Sequence, residues 1–145
     1  MQSSAMTSEC EELPWSFQDF GLREEMIRGI SSYGIERPSL IQQKGLKPIL
    51  LGKDTVVQGK CGSGKTLLAV IGVLQLIDAD FFHCQALIIT PSRELAVGIA
   101  RVIGIIGEHI GIRVQALQAE PLQHLNILAL ERGPHVVVGT PIRML

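Results

Sequence analysis

The run Gly59-Lys60-Cys61-Gly62-Ser63-Gly64-Lys65-Thr66 limits this chain more than any other stretch. It spells G-x-x-x-x-G-K-T, the spacing of a loop that wraps a phosphate chain. Such a loop works between a strand and a helix, so it demands an α/β setting. Thr55, Val56 and Val57 precede it. They are β-branched, follow the polar break Gly52-Lys53-Asp54, and predict a buried strand. From Lys65 onward the chain is rich in Leu, Ala, Val and Ile, with Gly72 as its weak point. That segment predicts a helix long enough to be buried. Gly59, Gly62 and Gly64 permit backbone angles that a side chain forbids. Loop N–H groups can then converge on an anion, and the helix dipole adds to the attraction. Lys65 is placed to reach β- and γ-phosphates, and the Thr66 hydroxyl to ligate Mg²⁺ bridging them. The bland alternative is a chance glycine turn before a core helix. With Gly at about 7% of residues, the fixed positions coincide by accident in roughly one chain of this length in a few hundred.

Bulk properties narrow the classes. At 145 residues, 46% apolar and 19% charged, the chain suits one soluble α/β unit. A net charge of −1 gives no basic footprint, so any grip on nucleic acid is local. Cys10, Cys61 and Cys84 show no zinc spacing, and their odd number suits a reducing compartment. The histidines are scattered, and no metal cage is assigned. The N-terminus has no basic or apolar signal region and is expected to be a disordered leader over 1–14. The longest apolar run, Leu67 to Ile77, contains Gln75 and is too short to span a bilayer. An intracellular, cytoplasmic or nuclear protein that avoids membranes is expected.

The remaining chain alternates helix and strand signals. Leu22, Met26, Ile27 and Ile30 share one face of a short helix that Tyr33-Gly34 ends. A second short helix is expected from Pro38-Ser39 through Gln42-Gln43, with Pro48 and Gly52 breaking the chain after it. Ala86 to Thr90 reads as a buried parallel strand. Pro91-Ser92 opens a helix to about Gly107, although Gly98 and Gly104 weaken it. Ile112 to Leu117 alternates as a strand with one wetter face. Pro121 to Arg132 reads as a helix closed by Gly133-Pro134, and Val136 to Val138 as a further buried strand. The alternation predicts a parallel sheet with helices on both faces. Ligands of such sheets sit at the carboxyl ends of strands, where the loop, Thr90-Pro91 and Thr140-Pro141 fall.

Four stretches, in order, resemble the first RecA-like domain of DEAD-box RNA helicases. Phe17 with Gly34-Ile35-Glu36-Arg37-Pro38-Ser39-Leu40-Ile41-Gln42 resembles the Q motif. The phosphate loop follows, then Pro91-Ser92-Arg93-Glu94-Leu95-Ala96, which resembles motif Ia. Thr140-Pro141-Ile142-Arg143 resembles motif Ib. The wording around Arg28-Gly29-Ile30, Tyr33-Gly34 and Ile41-Gln42-Gln43 looks closest to the translation initiation factor four-A group. The resemblance divides the chain into a Q-motif helical segment, 15–44, and a partial RecA-like ATP-binding part, 45–145. It implies ATP with Mg²⁺, held by Phe17, Gln42, Gly59, Gly62, Ser63, Gly64, Lys65 and Thr66. Gln42 would read the adenine edge, and Phe17 would pack on the base. It also implies RNA backbone contacts from Pro91, Arg93, Thr140 and Arg143, which position RNA without reading its sequence. Translation-initiation scaffold proteins are the implied partners. Alone, Gln42 reads as a solvated helix residue, Arg93-Glu94 as an exposed helix start and Thr140-Pro141 as a turn.

The sequence also departs from the family. Ala119-Glu120 stand where the family has Gly-Gly, and a carboxylate there repels phosphate. Ile142 replaces a glycine of motif Ib, putting a bulky side chain where backbone should approach RNA. No DEAD sequence follows motif Ib in these residues. The resemblance therefore implies a fragment, an early-stop product or a decayed gene copy, whose loop strand lacks its sheet neighbours and whose apolar edges invite aggregation. Two functions compete: the ATP-binding N-terminal part of a helicase, and an inactive decoy that holds nucleotide or helicase partners. A small P-loop kinase needs an arginine-rich lid, whereas Arg101, Arg113, Arg132 and Arg143 are scattered. A GTPase needs a guanine motif that is absent. Without an acidic pair at a strand end, Mg²⁺ lacks its anchor and the attacking water its base. The pure chain is expected to release no phosphate from ATP above a Lys65→Ala control; Lys65-dependent release in a malachite-green assay contradicts this.

Overall fold

The computed structural model describes residues 14–117 and 123–144. A 3₁₀ turn at Gln18–Phe20, the first of two (the other is Glu108–Ile110), leads into α1 (Glu24–Ser32), α2 (Leu40–Leu50) and α3 (Lys65–Leu76). Strand β1 (Ala86–Ile89), α4 (Arg93–Gly107) and β2 (Val114–Ala116) follow, then α5 (Gln123–Glu131), β3 (Val136–Gly139) and a last turn of helix, α6 (Pro141–Met144). The strands are parallel, in the order β1-β3-β2. Ala86 pairs with Val136, and Val114 pairs with the same residue from the other side. The predicted α/β fold with a parallel sheet is the fold observed.

The core follows from the sequence periods. Met26 and Ile30 of α1 meet Leu68, Ile71 and Leu74 of α3 and Ile103 and Ile106 of α4, over Val136 and Val138 of β3. Each such aliphatic side chain contributes about 1.5–3 kcal/mol when removed from water. Phe17 and Leu22 belong to the same cluster, so the helical N-terminal segment and the sheet share one core. Along β1, Ala86 and Ile88 pack inward while Leu87 and Ile89 stay exposed. All of β3 is buried.

Two expectations fail. Thr55–Val57 is not a strand: residues 53–60 form no ladder, and Val56 is 99% exposed. A strand needs a hydrogen-bonded neighbour, and among the described residues none lies beside it. Pro48 does not break the chain either. It sits within the last turn of α2, which runs on to Leu50. Proline removes one helical N–H there, and the packing of Ile49 and Leu50 against the core offsets that loss. The stop comes at Gly52, with φ +71°. The Pro121 end of the fifth predicted helix lies outside the described residues, and α5 begins at Gln123.

His135 lies at the amino end of β3 and is fully buried. Its Nδ1 accepts the Arg113 N–H at 3.0 Å, so that nitrogen carries no proton. The ring stacks on Phe82, over which the Arg113 guanidinium also sits, 4.5 Å from the centroid. Burial, then the Arg113 charge, push His135 below the ordinary histidine range, against a weaker upward pull from the Ala79 backbone. The unfolded chain therefore binds the proton more readily than the folded one. The stability gained by keeping this ring neutral is full above pH ~6.5, the ordinary histidine value, and is lost as pH falls below it. Urea midpoints measured from pH 8 to pH 5.5 should fall with pH. His135→Asn, which keeps an acceptor for the Arg113 N–H, should flatten that dependence.

Candidate nucleotide site

The loop between residues 59 and 66 is held by α2 rather than by a ladder. Ser39 caps α2, and its N–H donates to Gln42 Oε1 at 2.9 Å. Gln42 is 3% exposed, and its Nε2 donates to the Gly64 carbonyl at 3.1 Å. The Ser39 hydroxyl donates to the Ser63 carbonyl at 2.9 Å. Each such bond is worth about 0.5–1.5 kcal/mol net, more when breaking it would strand a buried group. Gly62 (φ +76°) and Gly64 (φ +96°) are left-handed, as predicted. Gly59 is not; a Cβ there would meet the movable Ile41 Cδ1 at 2.7 Å and the Ser63 hydroxyl at 3.0 Å.

Beside the loop lies a cavity of about 550 Å³. Gln42, Gly62, Ser63, Gly64, Lys65 and Thr66 line it, so the structure brings most of the predicted nucleotide set together. The first-turn N–H groups of α3 have no helical acceptor by construction, and this helix begins at Lys65. Lys65 Nζ donates to the Gly59 and Lys60 carbonyls at 2.7 and 2.6 Å. An ammonium has three N–H bonds, so one remains for an oxyanion. Thr66 is exposed on the same wall and can offer its hydroxyl to a cation carried by phosphates. Among the described residues, no carboxylate lines the cavity and no cluster of His, Cys, Asp or Glu fit for a metal occurs. Mg²⁺ fits here only together with its phosphates, through Thr66.

Phe17 and Gly59 do not line this cavity. Phe17 is 2% exposed, because the turn around it is fastened by the Trp15 and Ser16 N–H groups donating to Asp19 Oδ2. The Ser16 backbone bond, chiefly, holds the Asp19 carboxyl below the usual range. The cavity wall carries Tyr33, Ile35 and Arg37 instead, which sequence reading missed. Gly34 after Tyr33 pointed to a turn there but not to where the ring faces.

The second predicted set sits at adjacent strand ends. The Thr90 N–H donates to the Gly139 carbonyl at 2.9 Å, which joins the end of β1 to the end of β3. Pro91 and Arg93 therefore lie near Thr140 and Arg143. Pro91 and Arg93 are exposed, and Ile142 projects at 77% exposure. Arg143 is half-buried, and its Nε has no hydrogen-bond partner among the described residues. Beside Arg93, Glu94 is held below the usual carboxylate range by its own backbone N–H, then by the Ser92 hydroxyl. Glu120 lies outside the described residues.

Fold and loop together define a RecA-like P-loop α/β domain. The DEAD/DEAH box helicase model matches residues 39–145, and the chain belongs to that family. It is 41% identical over 144 residues to the ATP-dependent RNA helicase eIF4A of Schizosaccharomyces pombe, covering 99% of this chain and 37% of that one. It is 44% identical over 129 residues to eukaryotic initiation factor 4A of Drosophila melanogaster, covering 89% and 32%. Among solved structures it resembles a DEAD box protein from Methanococcus jannaschii, with TM-score 0.81, 29% identity, and 92% and 37% of the two chains covered. It also resembles S. cerevisiae Dbp5 bound to RNA and ADP BeF3, with TM-score 0.72, 27% identity, and 90% and 33% covered. The chain thus spans about a third of the length of the curated relatives it matches.

Gly64 is the position where loop and cap meet. A Cβ there would meet Gln42 Nε2 at 2.5 Å and the Ser39 hydroxyl at 2.9 Å, and the left-handed angle costs a further ~1–2 kcal/mol. Gly64→Ala should lower the thermal midpoint by several degrees and weaken Mg-ATP binding at least tenfold. A melt and a titration that both match the parent contradict this geometry.

Proposed function

We propose that this chain is the ATP-binding part of a DEAD-box RNA helicase of the translation-initiation type. The observation that carries the reading is the Gln42 amide. It fastens the loop and also lines the cavity. One N–H and one lone pair remain on it after its bonds to Gly64 and Ser39. That pair suits adenine, which offers an N6 donor beside the N7 acceptor. Guanine offers two acceptors there and leaves the Oε1 lone pair opposed. Triphosphate then lies along the loop, against Lys65 and the N–H groups of Gly62, Gly64 and Lys65, with Mg²⁺ on Thr66. In the domain as a whole, Pro91, Arg93, Thr140 and Arg143 contact RNA backbone from the ends of β1 and β3. Glu120 and Ile142 weaken that contact. The same proposal gives it translation-initiation scaffold proteins as partners and a cytoplasmic setting; relatives that are named translation initiation factors support it.

A second reading is a nucleotide-holding chain without turnover. The unladdered segment 53–60, with Val56 at 99% exposure, and a cavity lined by no carboxylate among the described residues favour it. Both readings require binding. Fluorescent Mg-ATP titrated into the purified chain should bind, and Lys65→Ala should weaken it at least tenfold. ATP should compete at least ~5-fold better than GTP, the lower end of a good bidentate pair's discrimination of about 1–3 kcal/mol. Binding indifferent to Lys65, or equal for the two bases, contradicts the proposal.

A further inference from the structure

We propose that Tyr33, not Phe17, supplies the surface on which the base stacks; the inference rests on the nucleotide reading above and adds its base-stacking residue. Hydrogen bonds from Gln42 fix only the edge of a purine. Its faces need an apolar or aromatic wall, since stacking gives much of the affinity of a bound base. The Phe17 ring is enclosed in the core with Leu22 and Met26 and is absent from the cavity wall. Turning it outward would open a hole in that core. Tyr33 is the aromatic residue on the wall, and it is 39% exposed.

The backbone under Tyr33 is fixed. Its N–H donates to the Gly29 carbonyl at 3.0 Å, Gly34 N–H to Ser31 at 2.9 Å and Ile35 N–H to Ile30 at 3.2 Å. The ring is thus presented from the rigid end of α1. Its hydroxyl makes no hydrogen bond among the described residues, so no structural polar role occupies it. Ile35 beside it on the wall is apolar. The pair forms a wall that suits a π-face, opposite in character to the polar loop that suits phosphates.

The test separates base from phosphate. Inorganic tripolyphosphate shares the loop contacts of ATP and has no base. Both are competed against fluorescent Mg-ATP on the full chain, in the parent, Tyr33→Phe, Tyr33→Ala, Phe17→Leu and Lys65→Ala. Tyr33→Ala should weaken ATP about tenfold while leaving tripolyphosphate unchanged, within the range measured for base stacking on aromatic side chains. Tyr33→Phe, which keeps the ring, should stay within about twofold of the parent for both. An ATP-to-tripolyphosphate ratio that falls in Phe17→Leu and not in Tyr33→Ala overturns the assignment. Equal losses of both competitors in Tyr33→Ala also overturn it, because they mark a structural role. If Lys65→Ala leaves both competitors untouched, the nucleotide reading itself fails and the assignment falls with it.

Discussion

One buried amide ties the phosphate loop to the helix beside it. Gln42 accepts the Ser39 N–H and donates to the Gly64 carbonyl, at 2.9 and 3.1 Å. A flexible glycine loop has many backbone states, and ordering each residue costs about 1–2 kcal/mol. The amide offsets part of that cost from a helix that is already folded. Because Gln42 is almost wholly buried, losing either partner would strand a polar group, which costs more than the bond contributes. The Ser39 hydroxyl bond to Ser63 repeats the arrangement one residue upstream. Loop shape, cavity wall and base edge therefore depend on the same few atoms.

The loop's support is helical rather than strand-borne. Thr55–Val57 has no ladder, yet α3 starts squarely after Gly64. What fixes α3 is its packing on α2. Leu46 and Leu68 are both buried. A Cβ on Gly45 would collide with Leu68 Cδ2, and one on Gly72 with Ile49 Cγ2. These glycines let the two helices approach closely where larger residues would hold them apart. The nucleotide cavity lies beside that helix pair.

Much of this was legible in the sequence because it depends on local pattern. β1, α4, β2 and β3 fall where short apolar runs and turn residues placed them, and the loop glycines Gly62 and Gly64 take the angles their motif demands. The failures share one cause: they depend on partners distant in sequence. Whether Thr55–Val57 is a strand depends on a neighbour strand, which no local pattern encodes. α2 continues through Pro48 because Ile49 and Leu50 pack against the core, a tertiary gain that outweighs one missing N–H. Sequence reading offers Phe17 as the stacking residue and Tyr33 only as the end of a helix. Only the fold shows that one is sealed behind the Asp19-fastened turn while the other faces the cavity.

The same fold puts the two proposed contact sets on one rigid body. α4 begins beside Thr90 and carries Arg93 at its exposed start. Nine residues on, Val102 lines the nucleotide cavity. At 1.5 Å per residue these positions lie roughly 14 Å apart along the axis. α4 is amphipathic, with Ile99, Ile103 and Ile106 buried against the core. Arg93 and Val102 therefore sit on one continuous helix whose buried face is set in the core. In the proposed reading, α4 is one element that borders both the nucleotide cavity and the RNA contact at Arg93.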